Sequence, residues 1–151
     1  MAKQVAIIWD SMTGASKAAA EAAAAGAGCE EGIKVRLLAA GEAGPDDLVS
    51  ASGYLFVFPE RLASISGMMK DFFDRCYYPL LGKIEARPYA LLVCAGSDGH
   101  SAVVQAERIA LGWRLRKFAD SQILCTNAQT TEAILAPKTL TPEQLALAMQ
   151  S

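Results

Sequence analysis

VAIIWDSMTGASKAAAEAAAA, residues 5 to 25, decides the fold. Val5 to Trp9 is an unbroken apolar run, as a strand covered on both faces requires. Ser16 to Ala27 is rich in alanine, the strongest helix former, with Gly26 and Gly28 placed as terminators. Between the two lies DSMTGAS, residues 10 to 16, a turn crowded with hydroxyl groups and free of lysine and arginine until Lys17. A buried strand leading through a short polar turn into a helix is the opening unit of a parallel α/β sheet.

The rest of the chain repeats that unit. Further apolar segments are IKVRLL (33 to 38), YLFVF (54 to 58), YALLVC (89 to 94) and QILC (122 to 125), separated by helical stretches. The first, third and fourth of the five segments are continuously apolar. The second alternates, with Lys34 and Arg36 between Ile33, Val35 and Leu37, which suits an edge; the fifth is short and flanked by Asp120 and Asn127, which suits the other edge. The expected architecture is α/β, a five-stranded parallel sheet of order 2-1-3-4-5 with helices on both faces.

Three more helices are expected. Residues 67 to 77 carry Met68, Met69, Phe72, Phe73 and Cys76 on one stripe and end before Pro79; Ser101 to Phe118 presents Val103, Ala106, Ile109, Ala110 and Trp113; Thr141 and Pro142 open a last helix through Met149. No repeat or linker divides the 151 residues, so one domain over 1 to 151 is expected, with Thr126 to Leu140 as a long connection that is either a binding element or plain surface.

Composition narrows the function. A net charge of -2 argues against nucleic acid, and no stretch is long and apolar enough for a membrane span or a signal peptide, so a cytoplasmic address is expected. Cys29, Cys76, Cys94 and Cys125 stand singly, and there is one histidine; these read as reduced thiols, mostly buried, and no metal site.

In open parallel sheets, ligands bind beyond the carboxyl ends of the central strands. The loops there are DSMTGAS (10 to 16), PERLASISG (59 to 67) and AGSDGHS (95 to 101). A helix starting near Gly14 offers unpaired N–H groups and the positive end of its dipole, and Ser11, Thr13 and Ser16 add hydroxyls, a combination that suits a phosphate monoester. The lysine of a nucleoside triphosphate loop is missing, so a small anion held rather than hydrolysed is expected. A second reading also stands: Ser11 or Thr13 is a simple N-cap and the loop binds nothing.

At this point the chain resembles the flavodoxin-like superfamily. Ser11, Met12, Thr13, Gly14, Ala15 and Ser16 match the flavodoxin phosphate loop, and FPERLASISGMMKDFFDR (58 to 75) is similar to the corresponding region of NAD(P)H-dependent FMN reductases and WrbA-type quinone reductases. CAGSDGHS (94 to 101) sits where that superfamily has its third flavin-contacting loop. The resemblance runs from about Lys3 to Phe118 and implies a flavodoxin-like three-layer sandwich that binds FMN. It gives residues 11 to 16 the FMN phosphate. Pro59, Glu60, Arg61, Leu62 and Ala63 would lie along one edge or face of the isoalloxazine, and Ala95, Gly96, Ser97, Asp98 and Gly99 would close its other side. No catalytic side chain is implied, because the flavin performs the chemistry.

Several residues depart from the flavodoxin pattern. Asp10 stands where flavodoxins carry glycine, and Leu62 replaces an aromatic that would stack on the ring. An uncovered ring face favours an NAD(P)H-dependent oxidoreductase that passes electrons to a quinone or similar small acceptor. An electron shuttle with no substrate of its own, and a flavodoxin-fold module that has lost FMN, are the alternatives.

Other residues carry two readings each. His100 is a donor to flavin or substrate, or a solvated residue before a helix. Arg108, Arg114, Arg116 and Lys117 cluster toward the end of the fourth helix as a dinucleotide contact or as ordinary helix-end cations, with Arg61 the better placed for a dinucleotide. Trp9 and Trp113 read as core, and Asp74 and Arg75 as a cap or pair on an exposed face. Near Tyr77, Tyr78 and Pro79 the resemblance implies subunit packing, hence a homodimer or larger assembly.

Overall fold

The computed structural model describes residues 3 to 29 and 31 to 126. The expected last helix and the connection beyond Thr126 lie outside the described residues. Strand β1 (Lys3–Trp9) leads through the first loop into α1 (Ala15–Gly28), then β2 (Ile33–Ala39), α2 (Pro45–Ser50), β3 (Gly53–Arg61), β4 (Ser64–Ile65), α3 (Gly67–Leu80), β5 (Pro88–Ala95), α4 (His100–Gly112), β6 (Arg116–Lys117) and β7 (Gln122–Cys125).

The sheet runs β2-β1-β3-β5, with β6 and β7 both parallel to β5 on its outer side. This is the order expected from the five apolar segments, with the last strand split in two. Pro88 pairs with Arg116 and Leu92 with Gln122, so the outer strand spends two more residues than β5 over that interval and bulges around Phe118.

Each face of the sheet has its own core. Under α3 and α4, Phe56, Phe72, Phe73 and Trp113 form a connected aromatic cluster, with Phe56 and Phe73 rings 5.2 Å apart and Phe73 and Trp113 5.5 Å apart, both edge to face. The other face is packed by alanines: Ala19, Ala20 and Ala23 of α1 are fully buried against Ile7, Leu55, Val57 and Leu92. Trp113 is core as expected. Trp9 is only half-buried, and the Lys17 ammonium lies 5.6 Å from its ring centre.

Some helix expectations need correction. Helix α3 does not stop before Pro79 but runs through it to Leu80. A proline in the last turn costs one backbone hydrogen bond and leaves most of the helix unaffected. Met68, placed on its apolar stripe, is half-exposed; the buried stripe is Met69, Phe72, Phe73, Cys76 and Leu80. On its outer face Lys70 pairs with Asp74 and Arg75 with Asp71, each at 2.7 Å.

Helix α4 ends at Gly112, six residues before Phe118. Arg114 takes the left-handed conformation at φ 62°, and Leu115 N–H donates to Ala110 while Arg114 N–H donates to Leu111, both at 3.0 Å. This is a Schellman stop with arginine where glycine is usual. Arg116 and Lys117 therefore sit in β6, beside the amino end of β5, and Lys117 pairs with Glu107 at 3.0 Å. They lie at the end of the sheet opposite the three loops.

Candidate functional site

The loops after β1, β3 and β5 meet at the carboxyl end of the sheet. Between them lies a cleft of about 110 Å³ lined by Ser11, Met12, Thr13, Ala15, Ser16, Pro59, Cys94, Ala95, Gly96 and Thr126. That is smaller than the roughly 300–1,000 Å³ of a pocket enclosing a whole small molecule, so it suits one end of a ligand whose remainder crosses the rim. Two larger grooves, each of about 410 Å³, lie elsewhere, one between α3 and α4 and one along the amino ends of the strands. The second is walled almost entirely by apolar residues, and neither collects open helix-start N–H groups.

Helix α1 begins without a side-chain cap. Gly14 is its N-cap residue at φ 108°, a conformation that favours glycine, and the first helical hydrogen bond runs from Ala18 N–H to Gly14. Neither Ser11 nor Thr13 caps the helix. Ser11 Oγ instead accepts from Gly14 N–H at 3.0 Å and closes the turn, which takes one amide out of the cradle. The N–H groups of Ala15, Ser16 and Lys17 have no acceptor among the described residues.

Ser16 is 1% exposed, and its Oγ has no hydrogen-bond partner at bonding geometry among the described residues. It lies close enough to the Cys94 thiol to oppose the effect of burial, which nonetheless pushes that thiol up to about 11. Cys94 is therefore a neutral thiol at pH 7, and the cleft floor holds no competing charge there. An orphaned hydroxyl, three open N–H groups and a neutral floor fit a phosphate monoester. Asp10 Oδ2 is also buried without a partner among the described residues. Asp10, just past the end of β1, is not among the residues that line the cleft.

The second loop is a hairpin. Strand β3 continues to Arg61 and pairs antiparallel with β4, Glu60 opposite Ile65 and Arg61 opposite Ser64. Leu62 and Ala63 form its two-residue turn, both left-handed at φ 51° and 58°. That is the type I′ geometry normally filled by Asn-Gly. Leu62 is fully exposed at the tip, and Met12 is 77% exposed on the cleft wall.

Glu60 does not present its side chain to the cleft. Its carboxylate accepts from Gly99 N–H at 3.0 Å and Ala102 N–H at 3.1 Å, satisfying the start of α4. Gln105 Oε1 accepts from Ser64 Oγ and Ile65 N–H, both at 3.0 Å, and fastens the hairpin to the same helix. Arg61 has no ion pair among the described residues.

In the third loop Ala95 and Gly96 line the cleft, while Ser97 and Asp98 are exposed. Asp98 Oδ1 accepts from His100 N–H at 3.2 Å, and the His100 side chain is exposed at the first turn of α4. Gly99 adopts φ 89°, and a Cβ there would fall 2.7 Å from Ile123 Cγ2. Cys94 and Thr126 also line the cleft; from sequence they stood only as the first residues of the third-loop stretch and of the long connection, not as site residues. Their signal was position, at the carboxyl ends of β5 and β7. Thr126 N–H donates to Ala95 at 2.8 Å.

Residues 39 to 129 match the model of a family described as NADPH-dependent FMN reductase, a stretch that contains both the hairpin and the third loop. The chain belongs to that family. A flavodoxin of Aquifex aeolicus is 36% identical over 95 residues, 63% of this chain and 49% of that protein, so the match spans about half of the relative's length.

Solved structures share the reductase family member's fold at low identity. A flavodoxin from the domain Archaea superposes with a TM-score of 0.79 at 15% identity, covering 97% of this chain and 92% of its own. A WrbA-like flavodoxin protein from Agrobacterium tumefaciens gives 0.70 at 18%, covering 98% and 91%. An NADH:FMN oxidoreductase in its apo form gives 0.70 at 18%, covering 98% and 87%. The flavodoxin-like fold expected from the sequence is thus present. Among the described residues of this FMN reductase family member, no helix is long and apolar enough to cross a membrane, and no group of three or more His, Cys, Asp or Glu could hold a metal.

Proposed function

We propose that this chain binds FMN with its phosphate at the start of α1 and acts as an NAD(P)H-dependent oxidoreductase, passing electrons to a quinone or similar small acceptor. The observation that carries the reading is the open α1 start: the N–H groups of Ala15, Ser16 and Lys17 and the buried Ser16 Oγ have no partner among the described residues, and Ala15 and Ser16 line a small cleft. Thr13 adds a hydroxyl on the same wall. From there a planar ring reaches across Pro59 to the hairpin, between the backbone of Glu60 to Ala63 and that of Ala95 to Gly99.

Bound FMN supplies hydride acceptance and electron transfer; the protein supplies placement. Leu62 offers an aliphatic contact instead of a stacking aromatic and leaves room on one ring face for a nicotinamide. Arg61, without an ion pair among the described residues, is the cation for the dinucleotide's phosphates. The groove between α3 and α4, with Tyr78 largely exposed on it, is our site for a contact between two copies of the chain.

The test is a visible spectrum of the purified chain with and without added FMN, followed by rapid mixing with NADPH or NADH. Bound flavin that bleaches directly supports the oxidoreductase. The 36% identity to a flavodoxin favours a shuttle as the second reading, and bound flavin inert to both nucleotides selects it. A chain that takes up no FMN overturns both.

A further inference from the structure

Helices α1 and α4 start in the same way. Each follows a buried strand, each has a left-handed glycine at the N-cap, Gly14 at φ 108° and Gly99 at φ 89°, and neither N-cap residue supplies a side-chain cap. Their strands β1 and β5 flank β3, so both helix starts open at the same end of the sheet. By helix electrostatics alone, both would attract an anion. Only one is open.

At α4, Asp98 Oδ1 accepts from His100 N–H at 3.2 Å, and the remaining difference comes from the end of β3. Side chains alternate along a strand, and here Phe56 and Phe58 enter the core under α3 and α4 while Val57 enters the core under α1. Two residues beyond Phe58, Glu60 faces α4 and gives one carboxylate oxygen to Gly99 N–H and the other to Ala102 N–H. Pro59, between Phe58 and Glu60, lines the cleft instead.

We propose that Glu60 is a specificity-determining residue, a built-in anion that closes the α4 start so that a phosphate has only the α1 start to enter. The carboxylate removes donors that a phosphate would need and adds a negative charge that repels it. The plug is held in place. Gln105 fastens the hairpin through Ser64 and Ile65, and Ile123 packs where a side chain at position 99 would go. With α4 closed, a phosphate-bearing cofactor is admitted in one direction. The two starts lie at one end of the sheet on its opposite faces, and an open α4 start would be a second place for the phosphate.

The idea deepens the FMN reading by fixing the cofactor's direction, but its probe is inorganic phosphate alone, so the two can fail separately. The ¹⁵N-labelled full chain is titrated with phosphate as wild type, Glu60→Gln and Glu60→Ala. In wild type the amides of residues 15 to 17 should shift and those of residues 99 to 102 should not. In both variants the second set should respond, with an affinity at least about tenfold above wild type at that end. Glu60→Gln is nearly isosteric and keeps an acceptor, so it serves if Glu60→Ala fails to fold. The proposal falls if wild-type residues 99 to 102 already respond, or if removing the charge leaves them silent. Silence at residues 15 to 17 would instead count against the cradle.

Discussion

Ser16 Oγ is a buried hydroxyl with no partner at bonding geometry among the described residues, and burying a polar group unsatisfied costs about 1–3 kcal/mol. A phosphate oxygen at the α1 start removes that cost, and a hydrogen bond to a charged acceptor is worth roughly 1.5–3 kcal/mol. Ser16→Ala should therefore weaken FMN binding by about tenfold or more, read as flavin fluorescence quenching on titration. Riboflavin, which has the ring without the phosphate, should bind equally to both proteins. Equal loss for the two ligands would mean that Ser16 acts on the ring and not on the anion. The sequence pointed to this residue through its hydroxyl-rich turn, but not to the division of labour there. Ser11 and Ser16 are the same residue type five positions apart. Only the turn geometry sends one to Gly14 N–H and leaves the other vacant.

Among the elements, the β3–β4 hairpin is where local preference and structure disagree most. Leucine and alanine are poor choices for two consecutive left-handed positions, and each costs on the order of 1 kcal/mol relative to residues that adopt them freely. Replacing Leu62-Ala63 by Asn-Gly should raise stability by about 1–2 kcal/mol in urea denaturation. If Leu62 meets the flavin, the same change should weaken FMN binding, the usual exchange when strain is kept at a working site. An unchanged affinity would remove Leu62 from the site. The hairpin was not legible in sequence because PERLASISG lacks the Asn-Gly or Asp-Gly signal. The end of α4 was missed for a related reason, since the left-handed stop is held by Arg114 and not by a glycine. Helix α2 was overlooked because six residues show too little periodicity, although Pro45 and the Asp47 carboxylate on Gly44 N–H mark its start.

Across the whole molecule, burial of Cys76 and Cys94 pushes both thiols up to about 11 from 9.0. The folded chain keeps those protons after the unfolded chain has released them. Stability should therefore hold below about pH 9 and fall as pH rises toward 11, by at most about 1.4 kcal/mol per pH unit for each thiol. Urea midpoints between pH 8 and 11 measure this, and Cys94→Ala should flatten the fall by about half. The sheet order was readable because three continuously apolar strands have to be central and an alternating one has to be at the edge. The split of the last strand was not, because the residues of its bulge look like any polar connection.

The alanine face of α1 makes the first loop dependent on residues remote from any ligand. Ala19, Ala20 and Ala23 let the helix rest almost directly on β1 and β3, and that height sets where its first N–H groups stand relative to Pro59 and Ala95. A leucine at position 20 would jack the helix off the sheet, costing about 1–3 kcal/mol by overpacking. The mouth of the cleft would widen at the same time. Flavin retention during gel filtration should suffer more than the melting temperature suggests, although the new side chain never meets the ring.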